Sequence, residues 1–387
     1  MAARLEGNPY GAVVVGAGVF GAWIAYLMRR SGRTVVTVDG YGAANSRSSS
    51  GGETRVFRVG YGADTLYSRL ALRSLDLWKD FFRRSGQALF EQTGVLWLAK
   101  PDDEFVSHIE ETFRLLGVRS HRLSLQAMAE HFPQISTSGL DGALLEPEGG
   151  VILARGAVRL LVQETLKLGG VIRPDMVDAP EGSGTLDAVR TSSGDYIRGE
   201  HFVFACGPWM PRLFPSLLAD RMHVTRQDVF FFGPGSGDRR FSPPELPVWM
   251  DFGDEVYGVP DLQRRGAKFA FDRPGPPFDP DTDDRHVSVE GIAQMRAYVG
   301  RRFPALANAT LLESRVCQYS TTSNADFLVA RHPSFSNVWL VGGGSGHGFK
   351  HAPAVAQHLV DHVDGKNSLE VRFSFETKDT VQQRLVF

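Results

Sequence analysis

The sequence predicts an α/β lobe joined to a second lobe built on a mainly antiparallel sheet. Three observations carry that expectation. An all-apolar run, Val13-Val14-Val15, ends in Gly16-Ala17-Gly18-Val19-Phe20-Gly21 and continues at helical spacing through Trp23, Ile24 and Ala25. A second strand-and-glycine unit, Val338-Trp339-Leu340-Val341 followed by Gly342-Gly343-Gly344-Ser345-Gly346-His347-Gly348, comes late in the chain. Between them, from about Val224 to Arg315, aromatics and prolines punctuate short β-type runs such as Asp228-Val229-Phe230-Phe231-Phe232 and Lys268-Phe269-Ala270-Phe271.

The first unit reads as strand, tight turn and helix with the spacing G-x-G-x-x-G. Gly16 makes the turn, Gly18 lets backbone approach a pyrophosphate, and Gly21 lets the helix pack close to the strand. Free N–H groups and the dipole at the helix start favour a bound diphosphate. The next apolar strand, Thr34 to Val38, ends on Asp39, the position expected of a ribose ligand. A carboxylate there accepts from ribose hydroxyls and repels a 2′-phosphate. The lobe is therefore expected to be Rossmann-like and to take FAD or NAD rather than NADP.

Gly40 to Gly52 is too polar and glycine-rich to be buried and is expected to form a loop over the ligand, with Ser48 a candidate contact. It runs into Thr54-Arg55-Val56-Phe57-Arg58, whose Thr54 and Arg55 are further candidates; two arginines beside a ligand loop call for anions or for solvent. Leu66 to Phe82 has helical spacing, and Val95-Leu96-Trp97-Leu98 reads as a strand. Strand and helix patterns alternate from there to about Leu145, with Phe132-Pro133 and Glu146-Pro147 as breaks.

Val151 to Leu168 again has helical spacing, Val189 to Ile197 reads as a hairpin, and His201 to Ala205 as a strand ending at Cys206-Gly207-Pro208-Trp209. Pro274 to Asp284 is dense in proline and aspartate and is expected to be an exposed loop. Ala352 to Val363 closes the pattern as a helix, and the free N–H groups of its glycine-rich start, with Gly344, Gly346, Gly348 and Phe349, could face an anionic ring or a carboxylate. These patterns assign residues 1–90, 150–222 and 316–387 to a discontinuous cofactor lobe, and 91–149 and 223–315 to a substrate lobe.

The 42 basic and 44 acidic residues leave a net charge of −2, which gives no general attraction to nucleic acid or to an anionic membrane; a small-molecule partner is expected. Two cysteines, Cys206 and Cys317, match neither a disulfide framework nor a zinc motif, so a reducing, cytoplasmic setting is expected. No stretch is long and apolar enough to span a bilayer. The first apolar run, broken by glycines, reads as core rather than as a signal peptide, and Leu385-Val386-Phe387 is not a peroxisomal address.

Taken together, these pieces resemble the sarcosine oxidase and N-methyl amino acid oxidase branch of the D-amino-acid oxidase superfamily of flavoproteins, over nearly the whole chain. The carriers are the Gly16 to Gly21 turn, Asp39, Thr54 to Arg58 followed by Tyr61-Gly62, Cys206-Gly207-Pro208-Trp209, Cys317-Gln318-Tyr319, and Ser345 to Lys350. The resemblance implies FAD, attached through a thioether from Cys317 to the 8α carbon of the ring. It implies that Arg58 and Lys350 hold a substrate carboxylate, that Lys268 sits over the flavin and assists reaction with oxygen, and that Tyr257 and Tyr319 line the substrate pocket. It also implies a monomer acting on an amino acid and O2.

The chemistry of the residues agrees. Oxidising an amine beside a carboxylate needs a hydride acceptor that no side chain supplies, and two fixed cations would aim the substrate by charge-assisted hydrogen bonds. The expected reaction is oxidation of a secondary or N-substituted amino acid to an imine, with O2 reduced to H2O2. A flavin dehydrogenase passing electrons to another acceptor is the first alternative; an NAD-linked dehydrogenase or a non-catalytic nucleotide-binding module is more remote. Cys206 is expected to be a buried small hydrophobe, and His347 a residue that orients backbone.

Two departures stand out. Asp39 replaces the glutamate of many relatives, and Asp272 stands where sarcosine oxidases carry a pocket histidine. If Asp272 faces the pocket, its carboxylate calls for a cationic or hydroxyl-bearing partner, and a larger N-substituted or cyclic amino acid is expected to be a better substrate than sarcosine. The competing expectation is that Asp272 begins the exposed loop and never meets substrate.

Overall fold

The computed structural model describes residues 5–379. A six-stranded sheet orders its strands as Val171–Arg173, Val35–Val38, Ala12–Val15, Phe202–Phe204, Val338–Gly342 and Leu328–Arg331. All pairs are parallel except the last, which is antiparallel. Strands buried on both faces must be apolar throughout, and Ala12 to Val15 and Val338 to Val341 are. One face is covered by the helices Val19–Arg30, Thr65–Ser85, Ala154–Lys167 and Gly348–Val363, where Trp23 meets Trp78 and Phe81 edge to face. On the other face Val13, Val15, Val36 and Val38 pack against Val189 and Ile197 of a small sheet and against Met210, Phe214 and Leu218.

The second sheet has eight strands, in the order Thr310–Thr322, Met222–Gly233, Ala267–Phe271, Val256–Val259, Val248–Asp251, Val95–Ala99, Gly142–Glu146 and His121–Leu123. Only the pair Val248–Asp251 with Val95–Ala99 is parallel. The twofold alternation of side chains divides its residues. Phe230, Phe232 and Phe269 pack on Met295, Tyr298 and Val299 of the helix Val289–Arg302. Val229, Phe231 and Ala270 pack with Tyr257 and Cys317 on the opposite face.

Several expectations change. Val151 and Ile152 lie in the strand Gly150–Ile152, paired with Arg55–Phe57, and the helix starts only at Ala154. Both residues are buried all round, and a fully buried short run carries no period that separates strand from helix. The helix Val289–Arg302, capped by Ser288 Oγ accepting from Gly291 N at 3.0 Å, lies inside the stretch read as sheet. The Pro274 to Asp284 loop is not simply exposed: Phe278 is buried, and Asp281 accepts from Tyr41 Oη at 3.0 Å and Trp209 Nε1 at 2.9 Å. The strand Thr310–Thr322 runs straight through residue 316, where a segment boundary was expected. Among the described residues, no helix is long and apolar enough to cross a membrane.

Candidate active site

A cavity of about 420 Å³ runs from Asp39, Gly40 and Tyr41, past Gly16 and Gly18, to Cys317, Tyr257 and Lys268. Each fingerprint glycine has a separate reason to be there. Gly16 adopts φ +102°, and a Cβ on it would lie 2.5 Å from the Ala205 carbonyl oxygen. A Cβ on Gly21 would lie 1.9 Å from the Gly16 carbonyl oxygen, so Gly21 seats the helix on the strand and stays off the cavity wall. Gly18 has only Ser50 Oγ near its missing Cβ, at 3.2 Å, which leaves its backbone open to the cavity. Asp39 fixes the turn by accepting from Ala17 N at 2.7 Å and Tyr41 N at 2.9 Å; burial nonetheless pushes its carboxyl pKa above the usual value.

Ser48 and Arg55 line the cavity, as do Gly344, Gly346, Gly348 and Phe349 on the far wall. Gly346 passes so close to Tyr319 that a Cβ would lie 2.8 Å from the ring. Thr54 does not line it. Its carbonyl takes Arg55 Nη1 at 2.7 Å, and its carbonyl and hydroxyl take Lys268 Nζ at 3.2 and 3.4 Å.

Sheet register brings the reactive side chains to this wall. Cys317 pairs with Gln227, Tyr319 with Thr225, and Tyr257 with Ala270, two residues from Lys268. Cys317 Sγ lies 3.6 Å from Arg55 Nη2. Among the described residues Lys268 has no acid within ion-pair distance; burial, aided by the Arg55 charge, pushes it down to about 7. Burial pushes Tyr257 up to about 12 and Tyr319 well above the ordinary phenol range. Cys206 also borders the cavity, but its thiol points at the Val15 carbonyl, 3.4 Å away, and burial raises its pKa far from reactivity.

Arg58, Lys350 and Asp272 stand apart from that wall, grouped beyond its Tyr257 and Tyr319 end. Arg58 and Lys350 are buried, and neither has an acid within ion-pair distance among the described residues. Burial, together with the Arg58 charge, pushes Lys350 well below the usual lysine value. Asp272 lies in the field of both cations and beside Tyr319; burial pushes it up to about 6 against their pull. It therefore lies half-buried beside this cluster, at the start of the loop that follows the strand Ala267–Phe271.

Three residues of the cluster carried no role in the sequence. Glu146, read there as a break before proline, is buried, accepts from Val59 N at 2.7 Å and Trp97 Nε1 at 3.2 Å, and is pushed up to about 7 by burial. Tyr61 Oη lies 3.0 Å from His347 Nδ1 and 2.6 Å from His351 Nε2. His347 is thus a side-chain partner of Tyr61 and stacks on Phe327, and its Nε2, 3.4 Å from the Ala325 carbonyl, also meets backbone as expected. Tyr61 and His347 are among the residues that carry the family resemblance, whereas nothing local marks Glu146 or His351.

Residues 12–362 match the family described as FAD dependent oxidoreductase. The chain belongs to that family. Monomeric sarcosine oxidase from Streptomyces avermitilis is 29% identical over 361 residues, which cover 91% of this chain and 93% of that protein. Peroxisomal sarcosine oxidase from Homo sapiens is 28% identical over 360 residues, covering 90% and 91%. Among solved structures, L-proline dehydrogenase from P. horikoshii superposes with a TM-score of 0.84 at 21% identity, over 96% of this chain and 98% of that one.

For an FAD dependent oxidoreductase the cavity is apt. Its turn at Gly16, Gly18 and Asp39 carries the dinucleotide fingerprint, and the same cavity extends to Lys268, Tyr257 and Cys317. The readings as an NAD-linked dehydrogenase or as a non-catalytic module are set aside.

Proposed function

We propose that this chain oxidises a secondary or N-substituted amino acid to its imine, with O2 reduced to H2O2. The observation that carries the reading is the pair of buried basic side chains, Arg58 and Lys350, with no acid within ion-pair distance among the described residues, beyond the Tyr257 and Tyr319 end of the cavity. Bound FAD supplies the two-electron acceptor that the side chains lack. Arg58 and Lys350 take the α-carboxylate by charge-assisted hydrogen bonds and so orient the carbon that loses hydride. Tyr257 and Tyr319 wall the pocket between that pair and the cavity. Lys268 places positive charge where O2 gains electrons. The start of the helix Gly348–Val363 adds positive potential to the same wall.

Cys317 is assigned as the covalent attachment point, because its sulfur borders the ring end of the cavity. Asp272 supplies a carboxylate for a cationic or hydroxyl-bearing part of the substrate, so a larger N-substituted or cyclic amino acid is preferred over sarcosine. We further assign the protein as a monomer acting in the cytoplasm. The test is a panel of sarcosine, N-methyl amino acids, pipecolate, proline and sugar-amine adducts, assayed for H2O2 with the purified yellow protein. Turnover that requires an artificial electron acceptor and releases no H2O2 overturns the assignment of oxygen.

A further inference from the structure

Arg58 and Lys350 come from distant parts of the chain, one just after the strand Arg55–Phe57 and the other in the first turn of the helix Gly348–Val363. With the two buried together, the Arg58 charge disfavours the proton on Lys350, and no acid lies within ion-pair distance of either among the described residues. What they share is a ring. Arg58 Cζ lies 4.4 Å from the centroid of Tyr61, and Lys350 Nζ lies 5.0 Å from the same centroid. Trp97 and Phe252, at 5.3 and 5.6 Å, complete an aromatic surround for Arg58.

An aromatic face attracts a cation through its quadrupole and leaves the charge intact. A carboxylate in the same place would hold the cation more strongly but would compete with an incoming substrate carboxylate. The Tyr61 ring is itself held rigidly. Its hydroxyl sits between His347 and His351, which flank Lys350 in sequence, and its plane stacks on Tyr67 at 5.2 Å and 25°. The same ring therefore fixes Arg58 relative to the helix that carries Lys350.

We propose that Tyr61 is a positioning residue whose ring sets the spacing of Arg58 and Lys350 while leaving both charges available to the substrate carboxylate. This rests on the reading of that pair as a carboxylate clamp. It also separates the ring, which the two cations need, from the hydroxyl, which anchors the ring.

The experiment titrates the flavin-loaded enzyme with 2-furoate and with 2-furamide, a carboxylate and its uncharged counterpart, following the flavin absorbance. Wild type is expected to prefer furoate. Tyr61→Leu, which removes the aromatic face, is expected to lose at least tenfold in furoate affinity while furamide affinity stays within threefold. Tyr61→Phe, which keeps the face, is expected to retain the wild-type furoate-to-furamide ratio within threefold. A general disturbance of the pocket would weaken both ligands alike.

The inference is overturned if Tyr61→Leu keeps the wild-type ratio, or if Tyr61→Phe loses as much of it as Tyr61→Leu does. Should Tyr61→Leu fail to accumulate, Tyr61→Met supplies the variant without an aromatic face, with the same expected loss and the same overturning result. A wild-type enzyme that shows no preference for furoate removes the clamp itself, which is a failure of the proposed function and is distinguishable from a failure of Tyr61.

Discussion

Lys268 is where the structure exacts its clearest stability cost, and Lys268→Met measures it. The ammonium is buried with, among the described residues, only Thr54 oxygens for partners and is pushed from 10.5 down to about 7. At about 1.4 kcal/mol for each pH unit, holding the charged form in that place costs up to roughly 5 kcal/mol relative to the unfolded chain. The folded value lies below the unfolded one, so between about pH 7 and 10.5 the unfolded chain binds more protons and stability rises with pH. The cost is fully present below about 7 and vanishes above 10.5.

Methionine has a similar length and no charge. Allowing for the lost contacts to Thr54 and for relaxation around a buried ion, we expect a gain of about 1–3 kcal/mol at pH 6.5 that disappears by pH 10. Urea denaturation of the flavin-loaded enzyme at the two pH values reads it directly. In rapid mixing, the same variant should reoxidise at least tenfold more slowly with flavin reduction little changed. A variant that is less stable at pH 6.5, or whose difference from wild type is the same at both pH values, refutes the stability argument. Equal slowing of both half-reactions would give Lys268 a role with substrate instead.

Cys317→Ser should release the flavin into the supernatant on acid precipitation, whereas wild type should keep its colour in the pellet; flavin retained by the serine variant would disprove the attachment. Replacing Arg58 or Lys350 by methionine should lower kcat/KM by tenfold or more, in line with about 1.5–3 kcal/mol for a charge-assisted contact. Because burial holds Lys350 low, a bound carboxylate should draw a proton onto it, so carboxylate affinity should fall as pH rises; calorimetry in two buffers of different ionisation enthalpy should show proton uptake. Asp272→Asn should narrow the gap between sarcosine and larger substrates, and sarcosine ranking first in wild type with no change in the variant would remove Asp272 from specificity.

The parts of the fold legible in the sequence are those with a local cause. Gly16 and Gly21 announce themselves because a Cβ at either would strike backbone, and the strand ending at Asp39 does so because both its faces are buried. The helix Val289–Arg302 was obscured by its surroundings, although Met295, Tyr298 and Val299 recur at i, i+3 and i+4. Lys268, Asp272, Tyr257 and Tyr319 entered through resemblance; what unites them is the register of an eight-stranded sheet, which no local pattern encodes. Glu146 was invisible because its significance comes from Val59, Trp97 and Arg58, between 49 and 88 positions away along the chain.

Charge balance then decides what kind of molecule completes the site. Arg55, Arg58, Lys268 and Lys350 gather toward the ring end, while Glu53, the acid nearest Lys268, is engaged by Arg155 at 3.0 Å, Arg265 at 3.7 Å and Arg315. Burial raises Glu146 to about 7 and Asp272 to about 6, so of these two Asp272 is the more readily ionised near neutrality. The depressed lysines and the raised acids have one origin, which is burial in a space that solvates no charge well. An incoming α-carboxylate changes that balance: it offsets the Arg58 charge and restores the proton that burial and Arg58 disfavour on Lys350. An amine without a carboxylate does neither. In the proposed reading Asp272, beside Tyr319, meets the substrate's cationic end at the same time, so that a zwitterion would find opposite charges at its two ends.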